Sequence, residues 1–351
     1  MNTCRTASFA VLLILIIFVS ACKNGESYKV IYYDPPAEHN AIRETAGNKL
    51  DQKYRIALVP KIDGIAYFDV AKQGALEAGK ALDIEVIYTG PRIADAEHQI
   101  EVVEQLIEQN VDAIAIAAND PAALSDVMRK AQQHGIRVLT WDSDTIPEAR
   151  TFFVNQVDAE TLGRHIMNSL ALHQKERGSF AIMTGSLTAM NLNEWIKWIK
   201  VQQQEYYPHM QFVDLVANDE DPERAYELAL DLLERYPDLG GIIGVATISS
   251  PAAAKAIMDT GRANETIVVG VSSPALMKPY IEAGIAPVTT LWSPQKLGYL
   301  TVYLAKQLLD GQMPFDGQEI PNVGNIRVRG DVVIMGEPLD FTKENVNEYD
   351  F

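Results

Sequence analysis

The sequence of 351 residues has almost no cysteine, since Cys4 and Cys22 are its only two. Both lie close to the N-terminus, so the rest of the chain has no disulfide and no cysteine nucleophile. Basic residues are also in the minority. Thirty Lys and Arg stand against 47 Asp and Glu, which gives a formal net charge of -17. A surface of that charge repels phosphate backbones, and we therefore expect no nucleic-acid partner.

The common catalytic motifs are missing as well. The sequence contains no G-x-S-x-G, no P-loop and no H-E-x-x-H motif, and its six histidines are scattered without the paired spacing of metal ligands. These absences argue against a serine hydrolase, a P-loop NTPase and a zinc protease. We expect neither a cofactor nor a bound metal.

Long apolar runs are absent too. The longest run, Phe9 to Val19, has 11 residues, whereas a helix that spans a bilayer needs about 18 or more. A run of this length after Arg5 is typical of a signal peptide. It ends in Val19-Ser20-Ala21-Cys22, which resembles the bacterial lipobox. We expect residues 1–21 to be a signal peptide and Cys22 to carry a lipid. A plain signal peptide cleaved nearby, or an N-terminal membrane anchor, is the alternative.

The lipobox predicts an exported protein in the periplasm or on the outer face of the cytoplasmic membrane, held by its N-terminal lipid. Residues 22–53 are polar and rich in turn residues, which is typical of a tether.

Beyond the tether the sequence becomes regular. Apolar runs typical of buried parallel strands alternate with amphipathic helical segments, and their starts lie about 25–30 residues apart, as βαβ units require. The runs begin near Ile56, Ile84, Ala113 and Val138, and again near Phe180, Phe212, Ile242 and Ile267. The pattern predicts an α/β fold of two doubly wound parallel-sheet lobes.

The pattern in the last third of the sequence predicts that the chain crosses between the lobes more than once. A further strand near residues 287–292 and a helix over residues 294–309 are followed by a tail, and no Gly/Ser linker separates the halves. We therefore expect short hinge strands. The predicted N-terminal lobe comprises residues 54–147 and 293–322, and the C-terminal lobe comprises residues 148–292 and 323–351.

Polar and aromatic side chains follow the predicted strands. In open α/β sheets ligands bind beyond the carboxyl ends of the strands, so these residues are candidates for one shared site. They offer a cation, a carboxylate, amides, hydroxyls and an aromatic face, which together suit a polyol. Each one alone also fits a turn, a cap or the core. The candidates are Lys61, Asp142, Asn191, Asn193, Thr247, Ser272 and Trp292.

Several stretches resemble a known family. Ile56-Ala-Leu-Val-Pro-Lys61 and Gly64-Ile-Ala-Tyr-Phe68 resemble the first strand and aromatic loop of type I periplasmic sugar-binding proteins. Other stretches are similar to its rhamnose-binding and autoinducer-2-binding branch: Tyr88-Thr-Gly-Pro91, Asn119-Asp-Pro121, Gly135-Ile-Arg-Val-Leu-Thr-Trp-Asp-Ser-Asp144, Asn193-Glu-Trp195, Leu291-Trp292 and Lys343-Glu-Asn-Val-Asn-Glu-Tyr-Asp-Phe351.

The resemblance implies a monomer that closes on a sugar and delivers it to an ABC importer permease, without catalysis. It implies that Lys61, Phe68 and Asp142 are ligand contacts from the first lobe, and that Asn191 and Thr247 are contacts from the second.

The chain departs from the autoinducer-2 binders at two places. They carry an Asp-Gln pair where Asn191-Leu192 stands here, and a Pro and an Ala at the positions of Val245 and Thr247. The resemblance therefore favours a rhamnose-like deoxy sugar or another monosaccharide, with autoinducer-2 as the alternative ligand.

Two other functions stay open at this point. The same lobes could present a sugar to a membrane kinase as a sensor. The stretch Asp142-Ser-Asp144-Thr145 also matches the nucleophile motif of haloacid-dehalogenase-like phosphatases, in which the first Asp attacks phosphorus and the second acts as acid and base. A phosphatase of this kind places the motif on an early strand, whereas here it follows the fourth.

Overall fold

The computed structural model describes residues 53–349 and residue 351. The expected signal peptide, the expected lipid site at Cys22 and the tether up to residue 52 lie outside the described residues. None of the helices within residues 53–349 is both long and apolar enough to cross a bilayer.

Strands and helices alternate along most of the described chain. The strands are β1 Arg55–Val59, β2 Glu85–Tyr88, β3 Ala113–Ile116, β4 Arg137–Trp141, β5 Phe153–Val157, β6 Gly178–Thr184, β7 Met210–Ala217, β8 Leu239–Gly244, β9 Ile267–Gly270, β10 Thr289–Leu291, β11 Glu319–Ile320, β12 Gly324–Asn325, β13 Arg327–Arg329, β14 Val332–Gly336 and β15 Leu339–Phe341. The α-helices are α1 Ala66–Leu82, α2 Ala96–Glu108, α3 Ser125–Gln133, α4 Ala159–Gln174, α5 Met190–Tyr206, α6 Pro222–Arg235, α7 Ser249–Asp259, α8 Pro274–Glu282 and α9 Pro294–Leu309.

The first lobe is built on a seven-stranded sheet in the order β13-β14-β5-β4-β3-β1-β2. Its neighbouring strands are parallel except for the β13–β14 hairpin. Successive side chains of a strand point to opposite faces. In β1, Ile56 and Leu58 accordingly join one hydrophobic cluster, whereas Ala57 and Val59 join another. Burial on both faces explains why these strands are continuous apolar runs.

The second lobe is built on a four-stranded parallel sheet in the order β7-β6-β8-β9. Strand β10 pairs antiparallel with β15, and a bridge between Val271 and Thr290 links β10 to the end of β9. The predicted class, two doubly wound parallel-sheet lobes, is confirmed.

The lobe boundaries differ from those predicted. The prediction assigned residues 148–292 and 323–351 to the second lobe. In the structure, β5 lies in the larger sheet of the first lobe between β4 and β14, and residues 327–336 form two more strands of that sheet. A single 3-10 turn at Pro147–Ala149, rather than a helix, connects β4 to β5, so the regular strand spacing is interrupted there. The chain consequently crosses between the lobes near residues 158, 292 and 338.

Two helices of the first lobe pack with their backbones in contact through glycine. A Cβ atom on Gly74 of α1 would lie 1.8 Å from the carbonyl oxygen of Gln295, and one on Gly298 of α9 would lie 1.9 Å from that of Ala71. Only glycine permits such an approach. Because α1 begins just before Tyr67 and α9 begins just after Trp292, this packing brings those two aromatic residues together.

Candidate functional site

The carboxyl ends of both sheets border one cavity, whose empty space is about 400 Å³ when the adjoining open solvent is included. Residues from both lobes line it: Lys61, Ile65, Tyr67, Phe68, Asp142, Asn191, Leu192, Trp195, Glu220, Val245, Ala246, Thr247, Val271 and Trp292. Six of the eight predicted contacts are in this set, namely Lys61, Phe68, Asp142, Asn191, Thr247 and Trp292.

Hydrogen bonds to the backbone around Lys61 fix the position of this residue beyond the end of β1. The side-chain amide of Asn119 donates to the Lys61 carbonyl oxygen at 2.8 Å, and the amide of Gln99 donates to the preceding carbonyl of Pro60 at 3.0 Å. Gln99 in turn accepts the backbone N–H of Asn119 at 2.9 Å. These buried amides fix the turn that directs Lys61 into the cavity, and its side chain is only 5% exposed.

Asp142 directly follows β4 in a left-handed backbone conformation, with φ at +60°. A residue other than glycine rarely adopts this conformation, and such strain is concentrated at functional sites. The Asp142 N–H still donates to the carbonyl of Val154 at 3.1 Å, which keeps the residue attached to the sheet. Its side chain therefore leaves the strand toward the cavity.

A chain of hydrogen bonds orients the Asp142 carboxylate. The Trp292 indole N–H donates to the Tyr67 hydroxyl at 2.9 Å, and that hydroxyl donates to Oδ1 of Asp142 at 2.7 Å. Burial raises the pKa of Tyr67 well above its usual range, and the neighbouring Asp142 raises it further, so the hydroxyl remains a donor.

Lys61 lies between two oxygen acceptors. Its Nζ is 3.7 Å from Oδ2 of Asp142 and donates to Oδ1 of Asn191 at 2.9 Å. Burial raises the pKa of Asp142, while the charge of Lys61 and the hydrogen bond from Tyr67 work in the opposite direction. The Lys61–Asn191 bond joins the first lobe to the second, because Asn191 opens α5.

Aromatic rings form one wall of the cavity. Tyr67 contacts Phe68 and Trp292 edge to face, with ring centroids 5.0 and 6.1 Å apart, and Trp195 contacts Trp292 at 5.5 Å. Phe68 also rests on Trp141, at 5.8 Å. Buried polar groups beside aromatic faces can bind the hydroxyls and the C–H face of a sugar ring together.

Two predicted contacts do not line the cavity. Asn193 is exposed, and its amide donates to the carbonyl of Leu187 at 2.8 Å. It lies two residues beyond Asn191 on α5, which turns it to another side of the helix. Ser272 is fully buried, and its hydroxyl donates to the Thr247 carbonyl at 2.6 Å, so it supports a lining residue.

Sequence reasoning missed three prominent lining residues, Tyr67, Trp195 and Glu220. Tyr67 and Trp195 were within stretches that carried the family resemblance, but neither directly follows a strand. Glu220 belongs to the acidic turn before α6, which is typical of a solvated helix cap. Asp221 in the same turn does cap α6 by accepting the N–H of Arg224.

The arrangement does not meet the geometric needs of the phosphatase alternative. Asp144, its second carboxylate, accepts hydrogen bonds from the hydroxyl of Thr140 and from Nε and Nη2 of Arg150 at 2.9 and 2.7 Å. Within residues 53–349 and 351 no group of three or more His, Cys, Asp or Glu side chains could hold a metal ion.

Comparisons with known proteins agree with this geometry. A family model described as a periplasmic binding protein domain matches residues 56–313. The D-ribose/D-allose-binding protein of Pseudomonas aeruginosa is 29% identical over 271 residues, which is 75% of this chain and 84% of that protein.

Two solved structures are similar over most of their length. A solute-binding protein of an ABC transporter from Clostridium phytofermentas with bound L-rhamnose has a TM-score of 0.81 and 28% identity, covering 85% of this chain and 98% of its own. LsrB from Clostridium saccharobutylicum in complex with AI-2 has a TM-score of 0.80 and 28% identity, covering 85% of this chain and 100% of its own.

Proposed function

Because this chain belongs to the periplasmic binding protein family, we propose that it is a solute-binding protein that captures a monosaccharide between its lobes for an ABC importer. The observation that carries the proposal is the buried Lys61–Asp142 pair, oriented by Tyr67 and Trp292 at the edge of an aromatic wall. Both charges can bond the same hydroxyl groups of a sugar, Lys61 as donor and Asp142 as acceptor.

The lining of the cavity supports a small polyhydroxylated ligand. Charged and amide side chains lie there beside the aromatic rings of Tyr67, Phe68, Trp195 and Trp292, which is the mixture of polar and apolar groups usual for ligand pockets. The relatives named above bind ribose, allose, rhamnose or AI-2, which are all small and polyhydroxylated. The identity of the sugar is part of the proposal's test.

Capture would work by hinge closure. Two direct hydrogen bonds join the lobes beside the cavity. One is Lys61 to Asn191, and the other runs from the Thr188 hydroxyl to the carbonyl of Asn119 at 3.0 Å. A ligand that touches both lobes stabilises the arrangement in which these bonds form, and so shifts an open–closed equilibrium toward closure.

Export and attachment complete the proposal. The run Phe9 to Val19 and the following Cys22 support a lipid-anchored receptor outside the cytoplasmic membrane, with the permease of the importer as its partner. No step of catalysis is needed, since the receptor releases the sugar unchanged.

A thermal-shift screen tests the proposal. L-rhamnose, D-ribose, D-allose, D-arabinose and AI-2 are added to the protein lacking residues 1–22, which lie outside the matched family region. A ligand at 100 times its Kd stabilises the folded state by about 2.7 kcal/mol, which raises Tm by several degrees. Asp142→Asn should abolish most of that shift. If none of the four sugars raises Tm, monosaccharide capture is wrong.

AI-2 binding is the second candidate, because the AI-2 complex has nearly the same TM-score and identity as the rhamnose complex. The same screen separates the two. Solution scattering with the bound ligand should also show a smaller radius of gyration than without it, and an unchanged radius would contradict hinge closure.

A further inference from the structure

Glu220 reaches the cavity from a strained turn of the second lobe. It lies between β7 and α6, and both Asp219 and Glu220 have left-handed backbones, with φ at +52° and +57°. Two consecutive non-glycine residues in this region are costly, and such strain persists only where the surroundings impose it. The cost must therefore be offset by specific contacts of the turn.

Asn218 supplies those contacts. It is fully buried, its Oδ1 accepts the backbone N–H of Glu220 at 3.1 Å, and its Nδ2 donates to the Ser249 hydroxyl at 2.9 Å. Asp219 is paired on the outside with Arg224 at 2.7 Å. The turn is thus fixed from both sides, with Glu220 directed to the cavity.

The carboxylate of Glu220 has no protein partner there. Within residues 53–349 and 351 it forms no hydrogen bond and no ion pair. Its position depends on a glycine, because a Cβ atom on Gly185 would lie 2.1 Å from Oε1 of Glu220. Gly185 directly follows β6 and leaves the room that this carboxylate occupies.

The charges that line the cavity do not balance. They are Lys61, Asp142 and Glu220, which sum to one excess negative charge when all three are ionised. Lys61 is already engaged by Asp142 and Asn191. Burial raises the pKa of Glu220, and Asp142 raises it further, while Lys61 lowers it. Apart from the charge of Lys61, an ionised Glu220 carboxylate is stabilised by donors that enter the cavity, either water or ligand hydroxyls.

We propose that Glu220 is a specificity residue of the sugar site, whose carboxylate accepts hydrogen bonds from ligand hydroxyls on the side of the second lobe, while Asp142 accepts them on the side of the first. The inference rests on the proposed function and deepens it. The expected ligands are uncharged polyols with hydroxyl donors at both ends. Sugar phosphates and sugar acids are excluded, because they would place an anion beside Glu220.

Glu220→Gln tests the inference, with Glu223→Gln as the matched control on the exposed first turn of α6. Calorimetry is done with whichever of L-rhamnose, D-ribose, D-allose and D-arabinose binds the wild-type protein. Glu220→Gln should weaken binding at least tenfold, since a hydrogen bond to a charged group is replaced by one to an amide. Glu223→Gln should stay within twofold of the wild type.

Stability without sugar provides a second readout. If Glu220 serves the ligand, its unpartnered charge does not help folding, and Glu220→Gln should keep or raise the Tm of the sugar-free protein. A lower Tm together with unchanged affinity would show that Glu220 has a structural role, and would overturn the inference.

Gly185→Ala approaches the same carboxylate from its other side. The added methyl group displaces the far end of the Glu220 side chain, so affinity should fall, and the effect should be much smaller when Gln already occupies position 220. Fully additive losses would contradict a shared mechanism. If the wild type binds none of the four sugars, the proposed function fails, and the inference with it. If the wild type and Glu220→Gln bind one equally, only the inference fails.

Discussion

Tyr67→Phe removes one oxygen atom from the centre of the site. That hydroxyl accepts from the Trp292 indole at 2.9 Å and donates to Asp142 at 2.7 Å. All three residues are nearly inaccessible, with 6%, 2% and 3% exposure for Tyr67, Trp292 and Asp142. The substitution leaves the volume of the ring unchanged, so the loss reports on the hydrogen bonds alone.

The magnitude follows from what each partner loses. A buried donor or acceptor left without a partner costs about 1–3 kcal/mol, and more when it is charged. Within residues 53–349 and 351 the Trp292 N–H makes no other hydrogen bond, whereas Asp142 keeps Lys61 and borders the cavity, where water can replace the hydroxyl. We therefore expect Tyr67→Phe to lower the free energy of unfolding by about 2–4 kcal/mol.

Urea unfolding of the sugar-free protein measures this loss. Tyr303→Phe on α9 is the matched control, because this half-buried residue makes no hydrogen bond through its hydroxyl within residues 53–349 and 351. Removal of that hydroxyl should cost less than about 0.5 kcal/mol. Sugar affinity should fall as well, since Asp142 loses the group that orients it. A destabilisation as small as that of the control would refute the orienting role of Tyr67.

Three further outcomes follow from the described geometry and the N-terminal sequence. Gly298→Ala places a methyl group against the carbonyl of Ala71, so α9 must move from α1; we expect at least about 2 kcal/mol of destabilisation in urea unfolding, and wild-type stability would contradict the close packing. The hydrogen bond to Asp340 outweighs burial and raises the pKa of His165 above 6.5. The stability it provides is complete below pH 6.5 and is lost as pH rises through the raised pKa, so His165→Gln should lower Tm at pH 6 more than at pH 9. An equal decrease at both pH values would disprove the linkage. Cys22→Ala should release the exported protein from membranes or block its processing, and unchanged partitioning into detergent would contradict lipid attachment.

Much of the fold is readable from the sequence because both sheets are buried on both faces. Runs such as Ile56 to Val59 contain no polar residue, so their starts are visible without the structure. The helix predicted over residues 294–309 is observed with the same bounds. Strand β5 was not recognised because a short turn replaces the expected helix, and β13 and β14 form a hairpin where the sequence indicated only a tail.

The candidate site was predictable where strand ends determine it. Lys61 lies two residues beyond β1, Asp142 directly follows β4, and parallel strands bring their carboxyl ends together at one edge. Tyr67 points into the site from the face of a helix, and Glu220 from a turn whose composition is typical of a solvent-exposed cap. Their roles depend on which neighbours the folded chain brings near, such as Gly185 beside Glu220.

The same contacts connect the candidate site to the point near residue 292 where the chain crosses between the lobes. Trp292 directly follows β10, which extends the second sheet, and it lies two residues before the start of α9 of the first lobe. Its indole N–H is bonded to Tyr67 of the first lobe, while its ring contacts Trp195 of the second. The hydrogen bond holds Trp292 to the first lobe, so under the proposed hinge closure a rotation of the second lobe would act on the Trp195 contact. Because Trp292 also orients Asp142 through Tyr67, we expect the position of that carboxylate to depend on closure.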